Sequence, residues 1–308
     1  ITALGKLTNA NGRKTIDATG LAIAPGFIDL HAHVSDLAKM PAAESAIRQG
    51  VTLLLGGPDG GGPTNFKPYL DSLSQLKLGP NVAYQIGHNV IRKKVMGLDS
   101  RAPSFEELEQ MKVLVDEAMI YGAFGISTGL TYVPGAFSET DEIIEIAKVV
   151  STHGGFYTSH IRDESLHLIK AVKEAITIAE KANITVVLTH HKALGAAMWG
   201  ASKATLRLVD SANIAGLDIR LDQYPYTASS TSLAALIPSW AKAGGSDVFK
   251  ERSANPHLRD SIKNGIISNI VHVRVGTEIE RLQFRSFEWK KDLEGKTMKD
   301  WTEMEGLE

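Results

Sequence analysis

Apolar residues fall along the chain in two alternating rhythms. One is a set of short, nearly continuous runs. They are "GFIDLHAH" (26–33), "VTLLLGG" (51–57), "NVAYQIGH" (81–88), "GAFGIST" (122–128), "GFYTSHI" (155–161), "ITVVLTHH" (184–191) and "LDIRLDQY" (217–224). Runs of this length, rich in β-branched and aromatic residues, predict strands buried on both faces. Between them the apolar positions recur every three to four residues, as on one face of a helix. "SFEELEQMKVLVDEAMIYG" (104–122) opens on Ser104 with Glu107 three residues later, a capping box. "ETDEIIEIAKVVSTHGG" (139–155) begins acidic and stops at glycine, and "SLHLIKAVKEAITIAEKAN" (165–183) keeps the same spacing.

Strand alternating with helix predicts an α/β fold with a parallel sheet. Seven such strands in about 200 residues suggest a (β/α)8 TIM-type barrel, whose usual length is about 250 residues. An eighth strand is not evident, so strand 8 is expected to be missing from this chain. Beyond Tyr226 the pattern loosens. "IPSWAKAGGSDVFKERSANPHLRDSIKNGI" (237–266) reads as helices, and 233–308 is expected to form a helical lid or insertion. "KTMKDWTEMEGLE" (296–308) reads as the start of a further helix.

Composition narrows the classes of function. The chain has 308 residues and a net charge of -2, with no basic run or polybasic face, so neither nucleic acid nor an acidic membrane is an expected partner. No apolar stretch is long enough to span a bilayer. Cysteine is absent, which excludes disulfides and thiolate metal sites. The first twenty residues lack the basic and apolar regions of a signal peptide. The chain opens on Ile1 rather than Met, and the compartment, cytoplasmic or periplasmic, stays undetermined.

The chemistry sits where the predicted strands end, because the active sites of such barrels gather at the carboxyl ends of their strands. The first strand ends in His31-Ala32-His33, whose alternating residues share a face. The third ends in His88, the fifth in His160 followed by Arg162, and the sixth in His190-His191-Lys192. A lone histidine is usually a surface or satisfied core residue, and His153, His167, His257 and His272 are read so. Histidines at the ends of three strands converging on one mouth are a different matter, and predict a zinc site of one or two ions. The second strand runs into "GGPDGGGPTN" (56–65). This loop lacks the Lys-Ser/Thr of a P-loop and is not a dinucleotide fingerprint. Its Asp59 either ligates metal or shapes an Asp-Gly turn.

"APGFIDLHAHVSD" resembles the opening signature of the amidohydrolase superfamily. "GHNVIRKKVMG", "GAFGISTGLTYVPGAFSETDEI", "GGFYTSHIRDE", "VVLTHHKALG" and "DQYPYTASST" are similar, in order and spacing, to the N-acyl-D-amino-acid deacylases (D-aminoacylases). The resemblance runs from about residue 17 to the end, and six motifs in order make it specific. It implies a metal-dependent hydrolase that cleaves the amide of small N-acylated D-amino acids. His160 and His190 match the tight metal site of that family, and His31 and His33 the weaker one. Lys192 matches the residue that pairs with the substrate carboxylate, Tyr224 one that assists it, and Arg162 a further substrate contact. His88 is expected near the mouth.

Two departures stand out. Many relatives carry a cysteine ligand within Asn-Cys-Gly, where this chain has Pro58-Asp59-Gly60. A carboxylate can take the thiolate's place as a harder ligand. The family's catalytic aspartate lies at the end of the eighth strand, and no such block occurs here. Residues 1–24 match only the tail of the family's small β-sandwich domain, with 25–308 an incomplete barrel. The chain is therefore expected to be truncated at both ends and inactive by itself, its catalytic residue unknown. Two alternatives remain. One is a cyclic-amide hydrolase of the dihydroorotase or hydantoinase kind, against which stands the lack of a lysine in "GAFGIST". The other is a barrel that binds metal or ligand without catalysis. Oligomeric state is not legible.

Overall fold

The computed structural model describes residues 3–6 and 12–307. Eight short strands run in chain order: β1 (Phe27–Asp29), β2 (Val51–Gly56), β3 (Asn81–Tyr84), β4 (Ile86–Gly87), β5 (Gly125–Gly129), β6 (Phe156–His160), β7 (Thr185–Leu188) and β8 (Ile219–Leu221). All pairings are parallel, in the order β1-β2-β3 and β4-β5-β6-β7-β8. β3 and β4 are two halves of the third predicted strand, parted at Gln85, whose N–H still reaches the Gly56 carbonyl at 3.0 Å. The seven predicted strands are thus all present, in sequential order. Among the described residues β1 pairs only with β2 and β8 only with β7, so no strand closes the array.

The array curls. Five inter-strand steps separate β1 from β7, and a flat sheet would set them about 24 Å apart at ~4.8 Å per step. Yet the rings of His31, just past β1, and His190, just past β7, have centroids 5.0 Å apart.

Helices cover the outside: α1 (Glu44–Arg48), α2 (Phe66–Ser74), α3 (His88–Met96), α4 (Phe105–Ile120), α5 (Thr140–Thr152), α6 (Leu168–Ala182) and α7 (Ser202–Ile214). Their apolar stripes supply Met111, Val115, Ile146, Val150, Leu168 and Val172, which pack with Ile126, Tyr157, Val186 and Leu188 of the strands into one core. Truncating any of these buried aliphatic side chains to Ala costs about 2–5 kcal/mol. The capping box at Ser104 forms in both directions, with Glu107 N–H donating to Ser104 Oγ at 3.2 Å and Ser104 N–H donating to Glu107 Oε2 at 2.7 Å. α5 stops at Gly154 in the left-handed region, and α6 stops at Asn183 in the same conformation.

Beyond β8 the chain forms α8 (Ser239–Lys242), α9 (Ser246–Ala254), α10 (Pro256–Ser268) and α11 (Met298–Met304). Phe284, Phe287 and Leu293 make a small separate core there, with Met298 and Trp301 against it. Residues 12–24 carry no strand or helix, and residues 1, 2 and 7–11 of the expected sandwich remnant lie outside the described residues.

Candidate metal centre

Asp59 is presented by a loop that only glycine-rich sequence can follow. Gly57, Asp59, Gly60 and Gly62 all have positive φ, at 79°, 56°, 74° and 122°. A Cβ on Gly60 would stand 2.1 Å from Asn89 Oδ1 and 2.8 Å from the Gly129 nitrogen. Ser127 of β5 fixes the loop from below. Its hydroxyl donates to the Gly57 carbonyl at 2.5 Å and accepts from the Gly60 N–H at 3.0 Å. Asn89 ties the adjoining segment by donating to the carbonyls of Gly129 and Tyr132 at 3.1 and 3.2 Å.

Four imidazoles surround this carboxylate. Asp59 Oδ2 lies 3.4 Å from His31 Nε2 and 3.4 Å from His33 Nε2. Asp59 Oδ1 lies 3.6 Å from His160 Nδ1 and 3.5 Å from His190 Nε2. These separations are long for hydrogen bonds, and Asp59 Oδ1, His31 Nδ1 and His160 Nδ1 are buried without a hydrogen-bond partner. They suit a metal instead: ligands at about 2.0–2.1 Å on a tetrahedral ion stand about 3.3–3.4 Å from one another. His31, Asp59 and His190 together could hold such an ion. The donor set is nitrogen and carboxylate oxygen, without sulfur.

No family model matches the chain. The D-aminoacylase of Alcaligenes xylosoxydans xylosoxydans is 38% identical over 257 residues, 76% of this chain and 53% of that protein. The crystal structure of a D-aminoacylase that defines a novel subset of amidohydrolases superposes with a TM-score of 0.79 at 29% identity, over 100% of this chain and 62% of that one. This chain is a homologue of the D-aminoacylases. It spans about half the length of the curated relative it matches. The N-acyl-D-glutamate deacylase of Bordetella bronchiseptica, solved with zinc and a phosphonate mimic of the tetrahedral intermediate, gives a TM-score of 0.80 at 27% identity, covering 99% of this chain and 61% of its own.

In this D-aminoacylase homologue the ring pair His160 and His190 meets a second carboxylate on its far side. Glu164 Oε1 is 2.9 Å from His190 Nδ1, and Glu164 Oε2 is 3.7 Å from His160 Nε2. Lys192 Nζ reaches the same Glu164 Oε1 at 2.5 Å and lies 5.7 Å from the centre of the Tyr224 ring. Burial works against both carboxylates' charge, but the imidazoles around Asp59 outweigh it and hold that carboxyl far below its usual range. Glu164 is likewise lowered, to about 2, by His190, His160 and Lys192 against its burial. Burial lowers the His160 pKa. His190 also suffers burial, but Asp59 and Glu164 on its two sides raise it to about 9.

His31, His33, Asp59, His160 and His190 therefore come together, and Lys192 and Tyr224 stand beside them. Two expected residues do not. His88 is the first residue of α3, not the end of a strand. Its ring is wholly buried, with Nε2 2.8 Å from Glu142 Oε1, where Arg92 Nε also donates at 3.0 Å. Arg162 turns outward to Glu174, donating through Nε at 2.9 Å and Nη2 at 2.8 Å.

Sequence reasoning passed over Glu164, Asp222 and Tyr132. Asp222 accepts the His190 N–H through Oδ1, while its buried Oδ2 has no partner. The Tyr132 ring meets that of His160 edge-on at 4.7 Å. The only signals were an acid four residues after His160 and an acid two residues before the end of the last predicted strand.

Proposed function

We propose that this chain carries the metal-binding part of a hydrolase that cleaves N-acyl-D-amino acids to a carboxylate and a free D-amino acid. The observation that carries the reading is Asp59, one carboxylate ringed by imidazoles from three separate strand ends. His160, His190 and Asp59 form the tight site in this proposal, and His31 and His33 complete a second. Zinc chemistry at these residues would supply polarisation of an amide carbonyl and a more acidic water. The protein's own contribution is orientation. Asp59 keeps the rings turned inward, and Lys192 with Tyr224 offers a cation and a hydroxyl to the substrate's α-carboxylate.

The curled array is in this reading seven strands of an eight-stranded barrel, formed by 25–308. Residues 1–24 are a piece of a sandwich domain, and 233–308 a helical lid or insertion. The general base belongs to the eighth strand.

Elemental analysis of the purified protein and amine release from N-acetyl-D- and N-acetyl-L-amino acids test the proposal. His160→Ala and His190→Ala are expected to lose bound zinc. The 308 residues alone are expected to give background turnover, and protein that includes an eighth strand D-selective turnover. Stoichiometric zinc in the His190→Ala variant, or preference for the L enantiomer, overturns it.

A further inference from the structure

We propose that Glu164 is a positioning residue: it fixes which nitrogen of His160 and of His190 is free to hold a metal. The inference rests on the reading of the Asp59 face as the metal face. The two rings are mounted in opposite senses. His190 turns Nε2 to Asp59 and Nδ1 to Glu164, whereas His160 turns Nδ1 to Asp59 and Nε2 to Glu164. One carboxylate thus gathers the outward nitrogen of each ring, one oxygen per ring.

A neutral imidazole that binds metal through one nitrogen carries its proton on the other, and that proton needs an acceptor. Glu164 is the carboxylate placed to take it, at 2.9 Å from His190 Nδ1; His160 Nε2, at 3.7 Å, faces it across a gap that must close by about 0.7 Å for a hydrogen bond to form. Lys192 Nζ also lies 2.9 Å from His190 Nδ1; an ammonium only donates, so this contact by itself favours an unprotonated Nδ1, and a proton there requires Lys192 to turn its N–H bonds elsewhere. Lys192 directs its own donors to Glu164 Oε1 and to the His190 carbonyl, 3.0 Å away.

His160, Glu164 and His190 are close enough to hold an ion by themselves. The Lys192 ammonium, 2.5 Å from Glu164 Oε1, already supplies the positive charge on that face. Among the described residues no lysine or arginine pairs with Asp59, whose partners are all imidazoles. Backbone contacts hold Glu164 in place: its carbonyl accepts from the Leu194 N–H at 2.7 Å, and Asp163 Oδ1 accepts from the Ser165 N–H at 2.6 Å. With its side chain 6% exposed, Glu164 has no solvent to turn to.

The test joins zinc affinity, by chelator competition on the full chain, to NMR of the imidazole nitrogens in the zinc-loaded protein. The wild type is expected to carry the His190 proton on Nδ1 and the His160 proton on Nε2. Glu164→Leu removes the acceptor and is expected to weaken zinc about 10- to 100-fold. Glu164→Gln keeps an accepting oxygen and is expected to lose less than the Leu variant. Protons on the opposite nitrogens would make Glu164 a ligand and overturn the proposal. So would zinc binding by both variants equal to wild type. Should the Leu variant fail to fold, the wild-type spectra and the Gln variant still decide. A wild type that binds no zinc would instead sink the functional reading beneath it.

Discussion

Asp59 and His190 both sit in the left-handed region of backbone space, at φ 56° and 38°. For a non-glycine residue that conformation costs on the order of 1–3 kcal/mol and persists only where the surroundings enforce it. Here the enforcement is visible: Ser127 grips the Asp59 loop, and Asp222 takes the His190 N–H. Strain is thus stored in two residues that face each other across the candidate site. Charge is stored there too. In the metal-free protein His190 is flanked by Asp59 and Glu164, and its pKa stands at about 9 although burial alone would lower it. A pKa raised above the unfolded value of about 6.5 stabilises the fold fully below about pH 6.5. That contribution is lost as pH climbs through about 9. Metal-free stability, measured by urea unfolding with a chelator present, is therefore expected to fall by on the order of 2–3 kcal/mol between about pH 6 and pH 9.5. Zinc affinity should move the other way, because metal takes only the unprotonated nitrogen.

At the scale of elements, the glycine loop is the piece on which the site depends. Gly60→Ala would put a methyl group against Asn89 Oδ1 and into a backbone at φ 74°. It is expected to destabilise by about 1–3 kcal/mol and to reduce zinc content, read by denaturation and elemental analysis. Gly154, with a comparable φ of 70° but nothing near its Cβ, is the control, since Gly154→Ala should leave zinc content unchanged. Local signals read the elements well. All seven predicted strands exist, and the Ser104 capping box forms as expected. Strand ends were less legible. Pattern carried the first strand through His33, but β1 stops at Asp29, and only the Ala32 N–H to the Leu55 carbonyl, at 3.0 Å, keeps the chain alongside β2. His88 shows why. The apolar run continues past Gly87, but the backbone turns there straight into α3, and the ring swings under Glu142 instead of into the mouth.

At the scale of the whole molecule, the site is a clasp. Its candidate ligands come from the ends of β1, β2, β6 and β7, and among the described residues the array is otherwise open at both edges. β1 is solvent-exposed, with Phe27 64% and Ile28 60% accessible, so little apolar packing holds it in place. Metal that binds only the folded arrangement stabilises by mass action, about 2.7 kcal/mol at a free concentration one hundred times Kd. Thermal unfolding is therefore expected to shift upward with zinc and back with chelator, and a melting temperature indifferent to both would contradict a site that joins these strands. The sequence by itself determined the strand and helix order, the caps and the residue types at the strand ends, because periodicity and capping are written in contiguous residues. Only the tertiary structure decided that His31 meets His190, that each ring shows one nitrogen to Asp59 and the other to Glu164, and that His88 and Arg162 turn elsewhere. Those outcomes depend on the curl of the sheet and on helix packing, which bring together side chains far apart in sequence whose ring orientation no local pattern encodes.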